Sequence, residues 1–92
     1  MGRKSIADTI YEQYKKEDPG QETWLVLYDF EKTKPSTRFY TNISRITYHT
    51  KDGIMLQQSS YMTRDQRGAK SVKDLIKHYG GTVSMFKGEL VT

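Results

Sequence analysis

Residues 23–30, Thr-Trp-Leu-Val-Leu-Tyr-Asp-Phe, form the stretch around which the rest of the chain is organised. From Trp24 to Tyr28 every side chain is aromatic or aliphatic, which is the pattern of a strand buried on both faces. We therefore expect a central strand here. Asp29 follows at its carboxyl end, and in α/β-type sheets ligands gather at the carboxyl ends of strands. Asp29 is thus the first candidate functional residue.

Length and composition indicate a single small domain with a modest core. The chain has 92 residues, of which 35% are hydrophobic, and a net charge of +4, which favours anionic partners. It contains no cysteine, which excludes disulfides, thiolate metal sites and a thiol nucleophile. No apolar run is long enough for a membrane span, and no signal-peptide pattern opens the chain. We expect a cytoplasmic protein with no membrane association.

An N-terminal helical arm over residues 1–22 precedes the main domain, which we place at residues 23–92. Ser5 and Asp8 have the spacing of a capping box at the start of a helix. The helix of this arm is expected to stop before the Asp-Pro-Gly turn at residues 18–20. Its apolar stripe is narrow and consists of Ile6, Ile10 and Tyr14. Such a short helix needs to dock on another surface to be stable.

A second helix begins near Pro35, because Phe39, Ile43 and Ile46 recur at helical spacing. Residues 45–50 then alternate like a strand. They are separated by Asp52-Gly53 from a second strand-like run at residues 54–63, which predicts a β-hairpin. The alternative is a single helix that continues to Tyr48.

The last helix is predicted over residues 66–79, with Asp65 as its cap and Gly80-Gly81 as its stop. Its apolar face consists of Ala69, Val72, Leu75, Ile76 and Tyr79. A final strand follows over residues 82–90. The order β-α-β-β-α-β predicts an α+β, ferredoxin-like fold, with two helices on one face of a four-stranded antiparallel sheet. The strands at residues 23–30 and 54–63 are expected in its centre.

Alternation along the first strand predicts which side chains the helices cover. We place Leu25 and Leu27 under the helices and an apolar patch on the open face of the sheet. That patch consists of Trp24, Val26, Tyr28 and Phe30. Large apolar patches are rarely exposed to solvent, so we expect this one to be buried by the arm, by a second subunit or by stacked bases. Residues 54–63 lack the aromatic pattern of RNA-recognition modules, so we favour a homodimer interface.

Basic side chains on both main helices predict contact with nucleic acid. On the first of these helices they are Lys34, Arg38 and Arg45, and on the second Arg67, Lys70 and Lys77. Helices packed side by side would merge them into one basic surface that binds phosphates of DNA or RNA. The alternative is an ordinary solvated helix surface.

Asp29 is the residue best suited to metal chemistry. Its structural interpretation is a strand-end carboxylate that bonds loop amides or pairs with Lys32 or Lys34. Its functional interpretation is a ligand of Mg²⁺, which prefers carboxylate oxygens and keeps several waters. One aspartate is a poor site, whereas two brought together across a dimer axis could activate water towards a phosphodiester. His49 and His78 are too far apart in sequence to suggest a metal pair.

Three segments resemble one known family, the small CRISPR-associated adaptation proteins. Val26-Leu27-Tyr28-Asp29 is similar to the family's first strand, Arg38 lies where its first helix carries arginines, and Gln-Gln-Ser-Ser-Tyr at residues 57–61 is similar to a later segment. The resemblance covers residues 23–90. These proteins are the dimeric non-integrase subunits of the spacer-acquisition complex.

The resemblance implies a ferredoxin-like homodimer that contacts nucleic acid and an integrase-type protein partner. In some members it also implies Mg²⁺-dependent endonuclease activity through paired aspartates at the position of Asp29. The residues ahead of the first strand and the end at Thr92 depart from the family's usual pattern and favour a stand-alone relative. Virulence-associated toxin nucleases, which share the fold and an early aspartate, are a related expectation. The alternative function is a non-catalytic protein–protein interaction module that uses the open sheet face.

Overall fold

The computed structural model describes residues 4–31, 34–57, 59–89 and 91, and its helices and strands occur in the order helix, strand, helix, two strands, helix, strand. The predicted domain limits at Met1 and Thr92 lie outside the described residues, as do Lys32 and Gln58. The elements are α1 (Ile6–Glu12), β1 (Thr23–Asp29), α2 (Thr37–Thr50), β2 (Ile54–Gln57), β3 (Ser60–Thr63), α3 (Gln66–His78) and β4 (Thr82–Gly88).

The four strands form one open antiparallel sheet in the order β2-β3-β1-β4. β1 pairs with β4 along its whole length, from Thr23 opposite Gly88 to Asp29 opposite Thr82. On its other side β1 pairs with β3. The predictions of an α+β fold and of a four-stranded antiparallel sheet are confirmed. Of the residues predicted in the centre of the sheet, β1 and β3 lie there, whereas β2 is an edge strand.

The predicted assignment of the two faces of β1 is wrong. Val26 is fully buried and Tyr28 is 6% exposed, and both belong to the core on the helix side of the sheet. Phe30 packs edge-on against Phe39 of α2, with ring centroids 5.1 Å apart. Alternation separates the two faces of a strand but does not say which one the helices cover. The aromatic face is covered here, because its large rings bury the greater apolar area.

Of the four residues predicted at a dimer interface, Trp24 is half-buried and packs against the core as well. The side chains predicted to lie under the helices point the other way, and Leu27 is 39% exposed. β1 is therefore covered on one face and open on the other, rather than buried on both. The predicted apolar patch does not exist as a free surface, because α2 and α3 of the same chain already cover it.

α2 is one continuous helix through Thr50, so the predicted strand at residues 45–50 is wrong and the alternative of a long helix is correct. The β-branched threonines within residues 45–50 are accommodated in the helix by hydrogen bonds to the preceding turn. Thr47 Oγ1 donates to the Ile43 carbonyl at 3.1 Å, and Thr50 Oγ1 donates to the Ile46 carbonyl at 3.2 Å. The antiparallel pair lies instead within residues 54–63, as β2 and β3.

The Asp-Gly pair that suggested a hairpin makes the connection from α2 to β2. Asp52 accepts hydrogen bonds at Oδ1 from the Thr63 hydroxyl and from the Arg64 backbone N–H. Gly53 has a φ of +147°, and a Cβ there would come within 1.8 Å of the Tyr61 hydroxyl oxygen. Glycine is therefore required at this position, because its backbone has a positive φ and because there is no room for a Cβ.

α1 docks on the two long helices. The predicted capping box is present, with Ser5 Oγ accepting from the Asp8 N–H and the Asp8 carboxylate accepting from the Ser5 N–H. Ala7 and Ile10 are buried in the same core cluster as Val26 of the sheet. α1 contacts both α2 and α3. The arm lies on the helix side and leaves the other face of the sheet open.

α3 and β4 agree closely with expectation. Asp65 caps α3 through a 2.9 Å bond from the Arg67 N–H, and the apolar face of the helix is buried. β4 ends at Gly88, and the predicted limit of this strand, Leu90, lies outside the described residues. Among the helices described, none has the length and apolar character needed to cross a membrane.

Candidate functional site

Asp29 is the last residue of β1 and its side chain is exposed. Its backbone carbonyl accepts from the Thr82 hydroxyl of β4 at 3.5 Å. By alternation with buried Tyr28, the carboxylate lies on the open face of the sheet, on the side of Leu27. Asp29 is thus accessible to a ligand or to a second copy of the chain.

A metal site at Asp29 would need ligands beyond this one carboxylate. Within the described ranges, no group of three His, Asp or Glu side chains is placed to hold a metal ion. A single carboxylate gives Mg²⁺ at most two oxygen ligands, and the ion requires near-octahedral coordination. The predicted Mg²⁺ site therefore depends on a second Asp29 from another copy.

Two of the three cations predicted on α3 have partners within the chain, on the arm or at the cap of α3. The Arg67 guanidinium donates to Asp65 Oδ2 at 2.6 Å and to the Lys15 carbonyl at 3.2 Å, and the bond with Asp65 raises the pKa of Arg67. Lys70 Nζ lies 2.7 Å from Glu17 Oε1 of the arm. These charges are compensated within the chain, so they contribute little to an external basic surface.

The basic residues of α2 are in a different environment. Arg38 and Arg45 are exposed, and neither forms an ion pair with any part of the chain that the structure describes. Lys34, in the loop before α2, and Lys77, near the end of α3, are also exposed and without an ion pair among the described residues. The predicted basic surface is therefore concentrated on α2 and at the end of α3.

Residues 34–51 contain four Lys or Arg side chains and no Asp or Glu, which leaves the outer face of α2 without internal carboxylates. Helical geometry aligns Arg38, Arg45 and Tyr48 along that face. Thr41 and Ser44 lie between them and are exposed, and Tyr48 is 79% exposed. We call this set the α2 outer face: Arg38, Thr41, Ser44, Arg45 and Tyr48. It combines guanidinium groups, hydroxyl groups and one accessible aromatic ring.

A groove of about 380 Å³ runs beside the α2 outer face, where the three helices meet. Its lining residues are Ser5, Ile6, Arg38, Thr41, Asn42, Arg45, His78 and Tyr79. Buried Asn42 joins the three helices, because its Oδ1 accepts from the Ala7 N–H and its Nδ2 donates to the Arg38 carbonyl and to the Tyr79 hydroxyl. Among the described residues, the groove is lined by two arginines and a histidine and by no acidic side chain.

His49 makes a structural contact with the arm. Its ring stacks on Tyr11 with centroids 4.7 Å apart, and its Nε2 lies 2.6 Å from Asp8 Oδ1. The hydrogen bond from His49 lowers the pKa of the Asp8 carboxyl. Asp8 therefore serves both the cap of α1 and the joint between α1 and α2. The two histidines lie on different helices, and His78 lines the groove.

The open face of the sheet carries apolar side chains from all four strands. Leu25 and Leu27 of β1 lie on it, and register places Met62 of β3 and Phe86 of β4 opposite Leu25 on the same face. Ile54 of β2 pairs with Met62 and is exposed. Leu25, Leu56, Met62 and Phe86 line a shallow groove there. We call this surface the open sheet face.

Comparisons of the chain with protein-family models, with curated proteins and with solved structures found no match. The resemblance to CRISPR-associated adaptation proteins, with the nucleic-acid contact, endonuclease activity and partners that it implies, stays a prediction. We therefore infer a function from the residues and the geometry of this chain.

The sequence alone did not reveal three features of the site. The pairing of Lys70 with Glu17 depends on where the arm docks, and the arm is about fifty positions away along the chain, whereas Asp65, the carboxylate partner of Arg67, is two residues away. The groove depends on the same docking. The open sheet face was predicted to carry the side chains of Trp24, Val26, Tyr28 and Phe30, but it carries those of Leu25 and Leu27 instead. The absence of acidic residues from 34–51, however, is visible in the sequence and could have singled out α2.

Proposed function

We propose that this protein binds nucleic acid through phosphate contacts on the α2 outer face. The observation that supports the proposal is the contrast in charge pairing: Arg38 and Arg45 lack carboxylate partners among the described residues, whereas Arg67 and Lys70 have them. A guanidinium without an internal partner keeps its donors free for a phosphate, to which it can bind in a bidentate manner.

The other residues of the α2 outer face suit the same ligand. A hydroxyl group such as that of Ser44 commonly donates to phosphate oxygens. Tyr48 offers a ring on which an unpaired base can stack. Contacts to phosphates recognise the nucleic-acid backbone rather than the base sequence. Binding should therefore be weakly sequence-specific and strongly dependent on salt.

The fold supports the same proposal by analogy alone. The strand order, read as β4-β1-β3-β2, with α2 and α3 on one face, supports the ferredoxin-like arrangement expected from the sequence. We propose that the chain has this fold and that its resemblance to CRISPR-associated adaptation proteins reflects a related role. Fold-level analogy by itself does not establish a function.

A salt titration of binding tests the proposal. Labelled duplex DNA and single-stranded RNA of equal length are titrated with the protein, and binding is followed by fluorescence anisotropy at several salt concentrations. On duplex DNA, log affinity should fall against log salt with a slope of about −0.9 per phosphate contact. Absence of binding to both ligands at low salt would contradict the proposal.

Metal-dependent cleavage is a separate proposal that depends on Asp29. Two copies of the chain would have to bring their Asp29 carboxylates together around one Mg²⁺. Asp29→Asn should then abolish both cleavage and any rise in melting temperature on addition of Mg²⁺. Glu31→Asn, two residues further on and also exposed, is the control. Cleavage that persists in Asp29→Asn would contradict a role for this carboxylate.

A second candidate function is self-association through the open sheet face, which is supported by the exposed apolar side chains that this face carries. The occupant that fits best is a second copy, since twofold pairing places the same apolar residues against each other, while Asp29 lies at the end of β1. Four strands of up to seven residues give a flat area of roughly 400 Å². Standard interfaces take about 800 Å² from each partner, so we expect a weak dimer.

Sedimentation over a range of protein concentrations tests this association. Phe86, which is 55% exposed, lies within the open sheet face, and Phe86→Lys should abolish any dimer. Tyr48→Lys introduces the same charge at an exposed aromatic residue on the helix side and should leave the dimer unchanged. A protein that stays monomeric at all concentrations, or a dimer that survives Phe86→Lys, would exclude this interface.

A further inference from the structure

We propose that the groove where the three helices meet is a phosphomonoester site, and that the terminal phosphate of a bound nucleic-acid strand fills it. This inference rests on the proposed nucleic-acid binding and adds a specific subsite to it. Arg38 and Arg45 lie on the groove wall, His78 lies across from them, and no acidic residue of the described chain lines the groove. The surface around the groove is thus arranged for an anion.

Helix geometry allows the two arginines to act on one group. They are seven residues apart, so they lie on the same side of α2, about 10 Å apart along its axis. Arginine side chains are long enough to converge over that distance. Neither guanidinium forms an ion pair elsewhere among the described residues. Two fixed positive charges therefore face the same groove.

Charge balance favours a terminal phosphate over an internal one. A phosphomonoester carries about −1.5 to −2 at neutral pH, whereas an internal phosphodiester carries a single negative charge. Two arginines match the former. The groove volume of about 380 Å³ lies within the range of small-ligand sites, roughly 300–1,000 Å³. A phosphate together with its terminal nucleoside is a ligand of suitable size.

Tyr79 supplies a neutral donor in the groove. Its hydroxyl oxygen accepts from Asn42 Nδ2 at 3.2 Å, which leaves its own proton available for a ligand. Asn42 is fixed in turn by its bonds to Ala7 and to the Arg38 carbonyl. The donor is therefore held in position before a ligand arrives, which reduces the cost of ordering it on binding.

The test compares two oligonucleotides of identical sequence, one with a terminal phosphate and one with a terminal hydroxyl, each labelled at the opposite end. We expect the full-length protein to bind the phosphorylated strand about tenfold more tightly, as expected for one additional charge-assisted hydrogen bond. Arg38→Lys with Arg45→Lys keeps the net charge and should remove most of that preference, because lysine lacks the bidentate fork. Arg64→Ala, at an exposed arginine outside the groove, should keep it.

Competition with a free nucleoside monophosphate distinguishes the two sources of such a phosphate. Displacement of the phosphorylated strand by the mononucleotide at similar concentration would overturn the assignment to a strand end and give the site to a small nucleotide. Weak displacement would support the end of a strand. Equal binding of the two oligonucleotides would overturn the inference while leaving the proposed function intact. Absence of binding to both strands would overturn the inference and the proposed function together.

Discussion

α2 and α3 are both amphipathic helices with basic outer residues, yet their charges have different surroundings. On α3, Arg67 and Lys70 bind the carboxylates of Asp65 and Glu17 and a backbone carbonyl of the arm. On α2, Arg38 and Arg45 face solvent with no ion pair among the described residues. The number of cations along a helix therefore does not define a binding surface. A cation is available to an external anion only where no carboxylate of the same chain already pairs with it.

The arm contributes to this difference by docking asymmetrically. Glu17 and the Lys15 carbonyl reach α3, whereas the contacts of the arm with α2 involve Asn42 and His49 rather than the arginines. The same arm closes one side of the groove. The arm thus pairs Lys70 of α3 and lines the groove beside α2, while Asp65 of the α3 cap pairs Arg67.

The largest expected effect follows from loosening the arm. Ile10 is 6% exposed and belongs to the core, so Ile10→Ala should lower the free energy of unfolding by about 2–5 kcal/mol. Chemical denaturation measures the change, with Gln13→Ala at an exposed position just past α1 as the control. A loss no larger than that of the control would mean that the arm packs only weakly on α2 and α3.

Removal of the carboxylate partners of Arg67 and Lys70 should make these two charges of α3 available to nucleic acid, as we propose for the arginines of α2. Glu17→Gln combined with Asp65→Asn removes both carboxylate partners, while the helix keeps its cap, since asparagine is as good an N-cap residue as aspartate. Nucleic-acid affinity should rise severalfold and its salt dependence should steepen by up to about two contacts. Glu31→Gln with Glu89→Gln changes the net charge equally, at exposed positions that pair with neither Arg67 nor Lys70. An equal gain in that control would show that net charge alone determines binding.

A smaller effect concerns the joint between α1 and α2. The hydrogen bond from His49 lowers the pKa of Asp8 below its usual value of 3.8, so the carboxylate stabilises the fold above that pH. This contribution is lost as the pH falls through the lowered pKa of the folded state. Asp8→Asn should therefore cost about 1 kcal/mol near neutral pH and less in acid. Melting curves of Asp8→Asn and of the unsubstituted protein at several pH values measure this loss of stability. A loss that is the same at every pH would contradict the prediction.

Much of the fold could be predicted because local signals agree with it. The capping box at Ser5, the Asp65 cap and the apolar period of α3 were all correct. The end of α2 could not be predicted in the same way. Thr47 and Thr50 favour strands by propensity, and the hydrogen bonds that keep them helical become apparent only in the folded chain.

The candidate site was less accessible to sequence reasoning for the same reason. The alternation in β1 was read correctly, but the covered face depends on which side α2 and α3 pack, which a strand's own sequence does not contain. Six cations were predicted as one surface. Lys70 pairs with Glu17, which is distant in sequence, whereas the pair between Arg67 and Asp65 is local and could have been recognised in the sequence. Asp29 was correctly placed at the end of a central strand, and its chemistry stays a prediction.

The salt dependence of two matched double variants tests most directly whether α2 is the binding surface. Arg38→Ala with Arg45→Ala and Arg67→Ala with Lys70→Ala each remove two positive charges, the first pair from α2 and the second from α3. The measurement is the slope of log affinity against log salt for duplex DNA. We predict a slope flatter by roughly 2 units for the α2 variant and close to unchanged for the α3 variant. Equal slopes in the two variants, or a larger change in the α3 variant, would contradict the account.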